Sequence, residues 1–146
     1  MRAIVIPMLA AISSMTALAQ AQSIIRSGPN EDVEVIGTAS GTRRASDLLE
    51  GCAGYIPEQP DYLFTQERPR SFLRLFTRSG TDLALVVQKP DGTYVCDDDS
   101  GPGLNPAIDV TNPGRGTYRV WVGVYRANTV ADYTLTFTSS REPLED

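Results

Sequence analysis

The densest run of chemistry-bearing side chains is Asp97-Asp98-Asp99, followed by Ser100-Gly101-Pro102-Gly103. Three adjacent carboxylates are hard oxygen donors that repel one another, and a bound calcium ion relieves that repulsion. The glycines let carbonyls turn inward, and Asp82 and Asp109 stand in neighbouring turns. Asp82, Asp97, Asp98, Asp99 and Asp109 are therefore the candidate ligand set, with calcium the candidate ion and no cofactor required elsewhere in the chain. The run lacks the alternating ligand spacing of an EF-hand loop. The competing reading is a solvated loop whose aspartates accept from nearby backbone amides, and the sequence leans toward it.

Catalysis has little to work with. The chain contains no histidine, which removes Ser-His-Asp and Cys-His arrangements and the usual zinc sites. Lys89, the only lysine, stands directly before a turn proline, with nothing nearby to desolvate it and lower its pKa. Paired carboxylates suit glycoside hydrolysis, but no insertion is long enough to form a cleft around them. The expectation is a protein that is not an enzyme, with no catalytic residues.

A second constellation is aromatic. In the strand from Thr117 to Tyr125, one face carries Tyr118, Val120, Val122 and Val124, the other Arg119, Trp121 and Tyr125. If Ser71 to Thr77 is a neighbouring strand, Phe72, Arg74 and Phe76 extend this second face into an aromatic–arginine patch, made of residue types enriched at interfaces. The alternative is that the segment from Val33 to Tyr55 covers it.

The elements that must position these groups are short strands. Leu83, Leu85 and Val87 alternate, Pro90-Asp91-Gly92 turns the chain, and Thr93 to Cys96 returns. Further alternating runs are Val33 to Gly37, Asp61 to Thr65, Ser71 to Thr77 with a leucine face inward, Ala107 to Thr111, and Tyr133 to Thr138. Ser46 to Glu50 reads as one helical turn or a short strand. Seven to nine short strands separated by glycine and proline turns predict an all-β, two-sheet antiparallel sandwich.

Several of these pieces fall in a known order. Ser79-Gly80-Thr81-Asp82-Leu83, Pro90-Asp91-Gly92, Asp98-Asp99, Gly116-Thr117-Tyr118 and Tyr133-Thr134-Leu135, with Asp61-Tyr62-Leu63-Phe64 before them, resemble the bacterial pre-peptidase C-terminal (PPC) domain. The resemblance spans about Asp61 to Phe137. It implies a jelly-roll-like sandwich, non-catalytic, usually appended to exported hydrolases, with calcium bound by some relatives. The 146 residues themselves leave no room for a protease domain beside it, and the two cysteines are not general to that family.

The ends and the cysteines place the chain. Met1-Arg2, an apolar run from Ala3 to Ile12 and Ala17-Leu18-Ala19 compose a secretory signal peptide at 1–19, with a cut after 21 as the alternative. Residues 20–32 read as a flexible lead-in, 33–139 as a single domain and 140–146 as a frayed tail. The apolar run is well short of the roughly 20 residues that span a bilayer, so no span is expected after cleavage. In an oxidising compartment Cys52 and Cys96 form a disulfide by default. A formal net charge of −5 disfavours nucleic acid, which requires a basic surface. The chain is thus expected to be secreted or periplasmic, an accessory or binding module with a protein or polysaccharide partner. The alternatives are a structural component of the envelope or a small inhibitor of an exported enzyme.

Overall fold

The computed structural model describes residues 22–28 and 31–146. The expected leader at 1–19, with its alternative cut after 21, lies outside them. Eleven strands form two sheets: β1 (Ser23–Arg26), β2 (Val33–Ala39), β3 (Arg43–Arg44), β4 (Tyr55–Ile56), β5 (Tyr62–Gln66), β6 (Phe72–Arg78), β7 (Leu83–Gln88), β8 (Tyr94–Asp97), β9 (Ala107–Thr111), β10 (Gly116–Val124) and β11 (Ala131–Thr138). The seven-stranded sheet runs β1-β5-β10-β7-β8, with β4 and β3 continuing beside β5 along the far end of β10; the four-stranded sheet runs β2-β11-β6-β9. All pairs are antiparallel except β1 with β5. This is the expected all-β sandwich, with two-residue strands and β1 added to the anticipated set.

Alternation decides which faces meet. Tyr118, Val120, Val122 and Val124 of β10 enter the core with Leu83, Leu85 and Val87 of β7, and Tyr133, Leu135 and Phe137 come from β11 opposite. Phe64 stacks on Phe137 at 4.6 Å between centroids and meets Tyr118 edge-on. The leucines of β6, Leu73 and Leu75, are fully buried in the same core, as the cost of burying Arg74 instead requires. At the edge strand β2, a side chain on Gly37 would stand within 3 Å of the phenolic oxygens of Tyr62 and Tyr133, which hydrogen-bond to each other at 2.8 Å.

The phase of the sheet has a direct test. Val122 is fully buried, so Val122→Ala should lower stability by about 1 to 3 kcal/mol through lost burial and a residual cavity. Thr136 lies on the outer face of β11 between Glu34 and Phe76, and Thr136→Ala should cost about 0.5 kcal/mol or less. Denaturant melts giving equal losses would reverse the assignment of faces.

Two end segments differ from expectation. The lead-in is not free: β1 pairs with β5 and Ile25 is 7% exposed, because the edge of β5 is open and an apolar side chain is available to close it. Arg70 holds the following residues through Ser27 and the Gly28 carbonyl. The tail is also tied. Arg74 donates to the Glu142 carbonyl at 2.7 Å, Arg78 to that of Glu145 at 3.0 Å, and Arg141 lies over the Phe72 ring. Backbone carbonyls thus satisfy guanidinium donors that β6 presents outward.

The segment between β3 and β4 caps the outer face of the larger sheet. A 3-10 turn at Ala45–Asp47 replaces the expected helical turn or strand at Ser46 to Glu50. Ala45, Cys52 and Ile56 pack with Val86 and Trp121 into a second, smaller core, joined by Leu48, Tyr94 and Cys96. Cys52 and Cys96 are bonded, with their Cα atoms 5.8 Å apart. The bridge fastens the cap to β8.

Candidate functional site

The acidic loop is built largely for itself. Carboxylate oxygens of Asp97, Asp98 and Asp99 lie within 4.8 Å of one another. Asp97, at the end of β8, accepts from the Ser100 amide at 2.9 Å, the Ser100 hydroxyl at 2.6 Å and the Ala107 amide at 2.9 Å. That is the solvated-loop geometry, with one aspartate organising the loop backbone. Partial burial raises the pKa of Asp98, assisted by the charges of Asp99, Asp97 and Asp82. Asp82 is thus close to the triad, and its Oδ1 is buried without a hydrogen-bond partner.

Asp109 does not join as an available ligand. It is held in a fork by Arg74, with Nε to Oδ1 at 2.6 Å and Nη2 to Oδ2 at 2.8 Å, across the β6–β9 register. Of the five candidates, Asp82, Asp98 and Asp99 remain uncommitted oxygen donors. A calcium shell takes six to eight oxygens, so the side chains present fit that ion poorly.

The aromatic–arginine patch is split. Phe72, Arg74 and Phe76 lie on β6, whereas Arg119, Trp121 and Tyr125 lie on or just beyond β10. These strands belong to different sheets, so their outward residues face opposite sides of the sandwich. Trp121 is 4% exposed beneath the cap, with its Nε1 buried and unpaired and its ring 6.1 Å from Tyr94. Covering by the segment before Tyr55, weighed from the sequence, is what occurs for the tryptophan. Phe72 and Phe76 are also nearly buried, under Arg74, Arg78 and Arg141. Arg119 and Tyr125 stay exposed.

What the cap leaves open is a groove. Toward the other end of the same outer face lies a concavity of about 810 Å³, lined by Gln22, Gln59, Gln88, Lys89, Arg115 and Arg119 among others. Arg119 sits in a row between Leu63 of β5 and Gln88 of β7. One row on, the Thr65 and Thr117 hydroxyls are 3.3 Å apart. Apart from Arg119, no residue of this groove was named as a binding candidate from the sequence. A signal was nevertheless present. Lys89 follows β7 and Arg115 precedes β10, and antiparallel neighbours bring the end of one beside the start of the other.

Among the described residues, Asp61, at the mouth of β5, is the one strongly perturbed carboxylate. Its Oδ2 accepts the Val122 amide at 2.7 Å, yet burial pushes its pKa from 3.8 up to about 6. The folded chain therefore holds this proton more tightly than the unfolded chain. The stabilising contribution is full below about pH 4 and is lost as pH rises through 6. Expected from this group is a fold about 2 kcal/mol more stable at pH 4.5 than at pH 7.5. Asp61→Asn keeps an acceptor for Val122 and should remove most of that difference, Asp98 contributing the remainder in the same direction. Urea melts across the range check it; an unchanged slope in the variant would assign the effect elsewhere.

No family model matches the sequence, and no curated protein matches it. Among solved structures the chain is similar to the pre-peptidase C-terminal domain of a collagenase from Bacillus anthracis, at 15% identity over 82% of this chain and 98% of that one, with a TM-score of 0.47. It is also similar to PliG of Aeromonas hydrophila, a periplasmic inhibitor of g-type lysozyme, at 12% identity over 81% and 98%, with a TM-score of 0.47. A third is the Yersinia pseudotuberculosis-derived mitogen, at 14% identity over 80% and 92%, with a TM-score of 0.43.

Proposed function

We infer that this chain is an exported, non-catalytic binding or accessory module. The observation that carries the reading is the divided outer face of the larger sheet. One part is sealed by a disulfide-fastened cap, while the other is left as an open, polar concavity. A face that served only as bulk would gain nothing from that division. Export rests on the disulfide, which persists in oxidising compartments and is rare in reducing ones. Among the described residues no helix is long and apolar enough to cross a membrane.

Amide NMR of the oxidised chain against a panel of soluble glycans and peptides tests it. A binding module shows saturable shifts confined to the groove, around Gln88, Thr117 and Arg119. Absence of localised shifts across the panel would favour a structural component of the envelope. Slowing of an exported hydrolase, without groove shifts, would favour the inhibitor reading.

A further inference from the structure

We propose that the groove binds an acidic polysaccharide, one carrying carboxylates or sulfates along its length. The proposal rests on the binding-module reading and names the ligand class of that same site.

The charge pattern is the first argument. The sequence carries 18 acidic and 13 basic side chains, yet Lys89, Arg115 and Arg119 line the groove and no carboxylate does. Ion pairs among the described residues join Arg26 to Glu67, Arg43 to Glu58 and Arg74 to Asp109, and none involves a cation of the groove. Asp91, in the neighbouring turn, directs its Oδ1 to the Thr93 amide and hydroxyl. The charge of Lys89 also acts on Asp91, lowering its pKa, but none of the three groove cations is held in an ion pair, and on an acidic protein they form a local positive site whose field a concave wall concentrates. Arginine forks match carboxylate and sulfate oxygens in two-pronged fashion.

The second argument separates a glycan from an acidic peptide. Peptides commonly add as a strand to an open sheet edge or set apolar side chains into pockets. The floor here is β5, β10 and β7, each an interior strand with a neighbour on both sides in the sheet, so it offers no outer edge for an added strand. Leu63 and Pro90 are the only large apolar side chains in the lining, and no aromatic ring contributes. What the groove offers instead is amides and hydroxyls beside the cations: Gln22, Gln59, Gln88 and Thr117. Amides both donate and accept, which suits the hydroxyl-rich edge of a sugar between its charged groups. The missing aromatic platform also argues against stacked nucleic-acid bases, which such platforms hold.

The test uses the full oxidised chain and four probes: a heparin-derived octasaccharide, an oligogalacturonate, poly-glutamate of similar charge, and neutral dextran. At low salt, calorimetry or fluorescence anisotropy should show one or both acidic glycans binding at least tenfold more tightly than poly-glutamate, with no dextran binding. Affinity should fall steeply with salt. Arg115→Ala/Arg119→Ala should weaken glycan binding at least tenfold, while Arg126→Ala, an exposed cation outside the groove, should leave it unchanged. All three arginines are exposed, so the variants should keep the parent melting behaviour. Equal binding of poly-glutamate, binding of neither glycan, or equal losses from the groove and control variants would each overturn the proposal. If groove shifts then persist with some other ligand, the binding-module reading stands without it.

Discussion

Reduction of the Cys52–Cys96 bridge is expected to cost about 4 kcal/mol and to bring Trp121 into contact with water. The magnitude follows from the closed loop, a separation of 44 residues, for which the chain-entropy model gives roughly that value. The location of the loss follows from what the bridge fastens. The cap reaches the sheet through the two-residue strands β3 and β4, the small core around Trp121 and the bridge to β8. Without the covalent link, little backbone pairing holds it. Trp121 is the only tryptophan in the chain, so its emission reports this one place. Reduced protein, or Cys52→Ala/Cys96→Ala, should show a red shift at lower denaturant than the far-ultraviolet signal of the sandwich. Coincident transitions with little loss of midpoint would mean that the cap holds without its bridge.

Gly123→Ala should have an effect of comparable size by a route that leaves the disulfide intact. A Cβ at Gly123 would collide with the Tyr55 carbonyl oxygen and stand 2.8 Å from the Ile56 side chain. The first obstacle is backbone, and it belongs to β4, which pairs with β10 beside this residue. A flexible side chain could swing aside; a paired carbonyl moves only if the strand moves. The methyl should therefore displace β4 and loosen the cap over Trp121, at about 3 kcal/mol or more, the upper end of overpacking costs. Oxidised Gly123→Ala should thus show tryptophan exposure with its bridge unbroken. An unshifted emission spectrum, together with a parent-like melt, would show that the close approach of the two strands is not required.

The strands that hold the site were legible because period-2 alternation survives in β5, β6, β7, β10 and β11. Each of these presents one face to the same core, so Leu85, Val122 and Leu135 carry their direction in the sequence. The cap was not legible. Its residues Ala45, Cys52 and Ile56 have no shared period, and it is held by a cross-link and by shape. For Trp121 the sequence consequently left exposure and cover both open, and it is the floor of a second core. The split of the aromatic patch has a different cause. Alternation assigns each side chain a face of its own strand, but not the sheet to which that strand belongs. Asp61 stood in the sequence as part of a strand opening; its raised pKa arises from burial by partners distant in the chain. The groove cations are separated by strands and turns, and only antiparallel pairing brings them together.

The pairing of β2 with β11 sets the order of events in time. Within the four-stranded sheet β2 has β11 as its sole strand partner, and Val33 lies opposite Phe137. A growing chain that has made β2 must carry it unpaired through nearly the whole of the remaining synthesis. Closing so large a loop is an entropic cost that precedes any reward from the contact, and sandwiches rich in such pairings fold on the slow, millisecond-to-second side. Throughout that interval Val33, Val35 and exposed Ile36 present a strand edge with nothing beside it, the condition in which chains associate wrongly. A fold whose early strand waits for its late one cannot complete its four-stranded sheet before β11 exists.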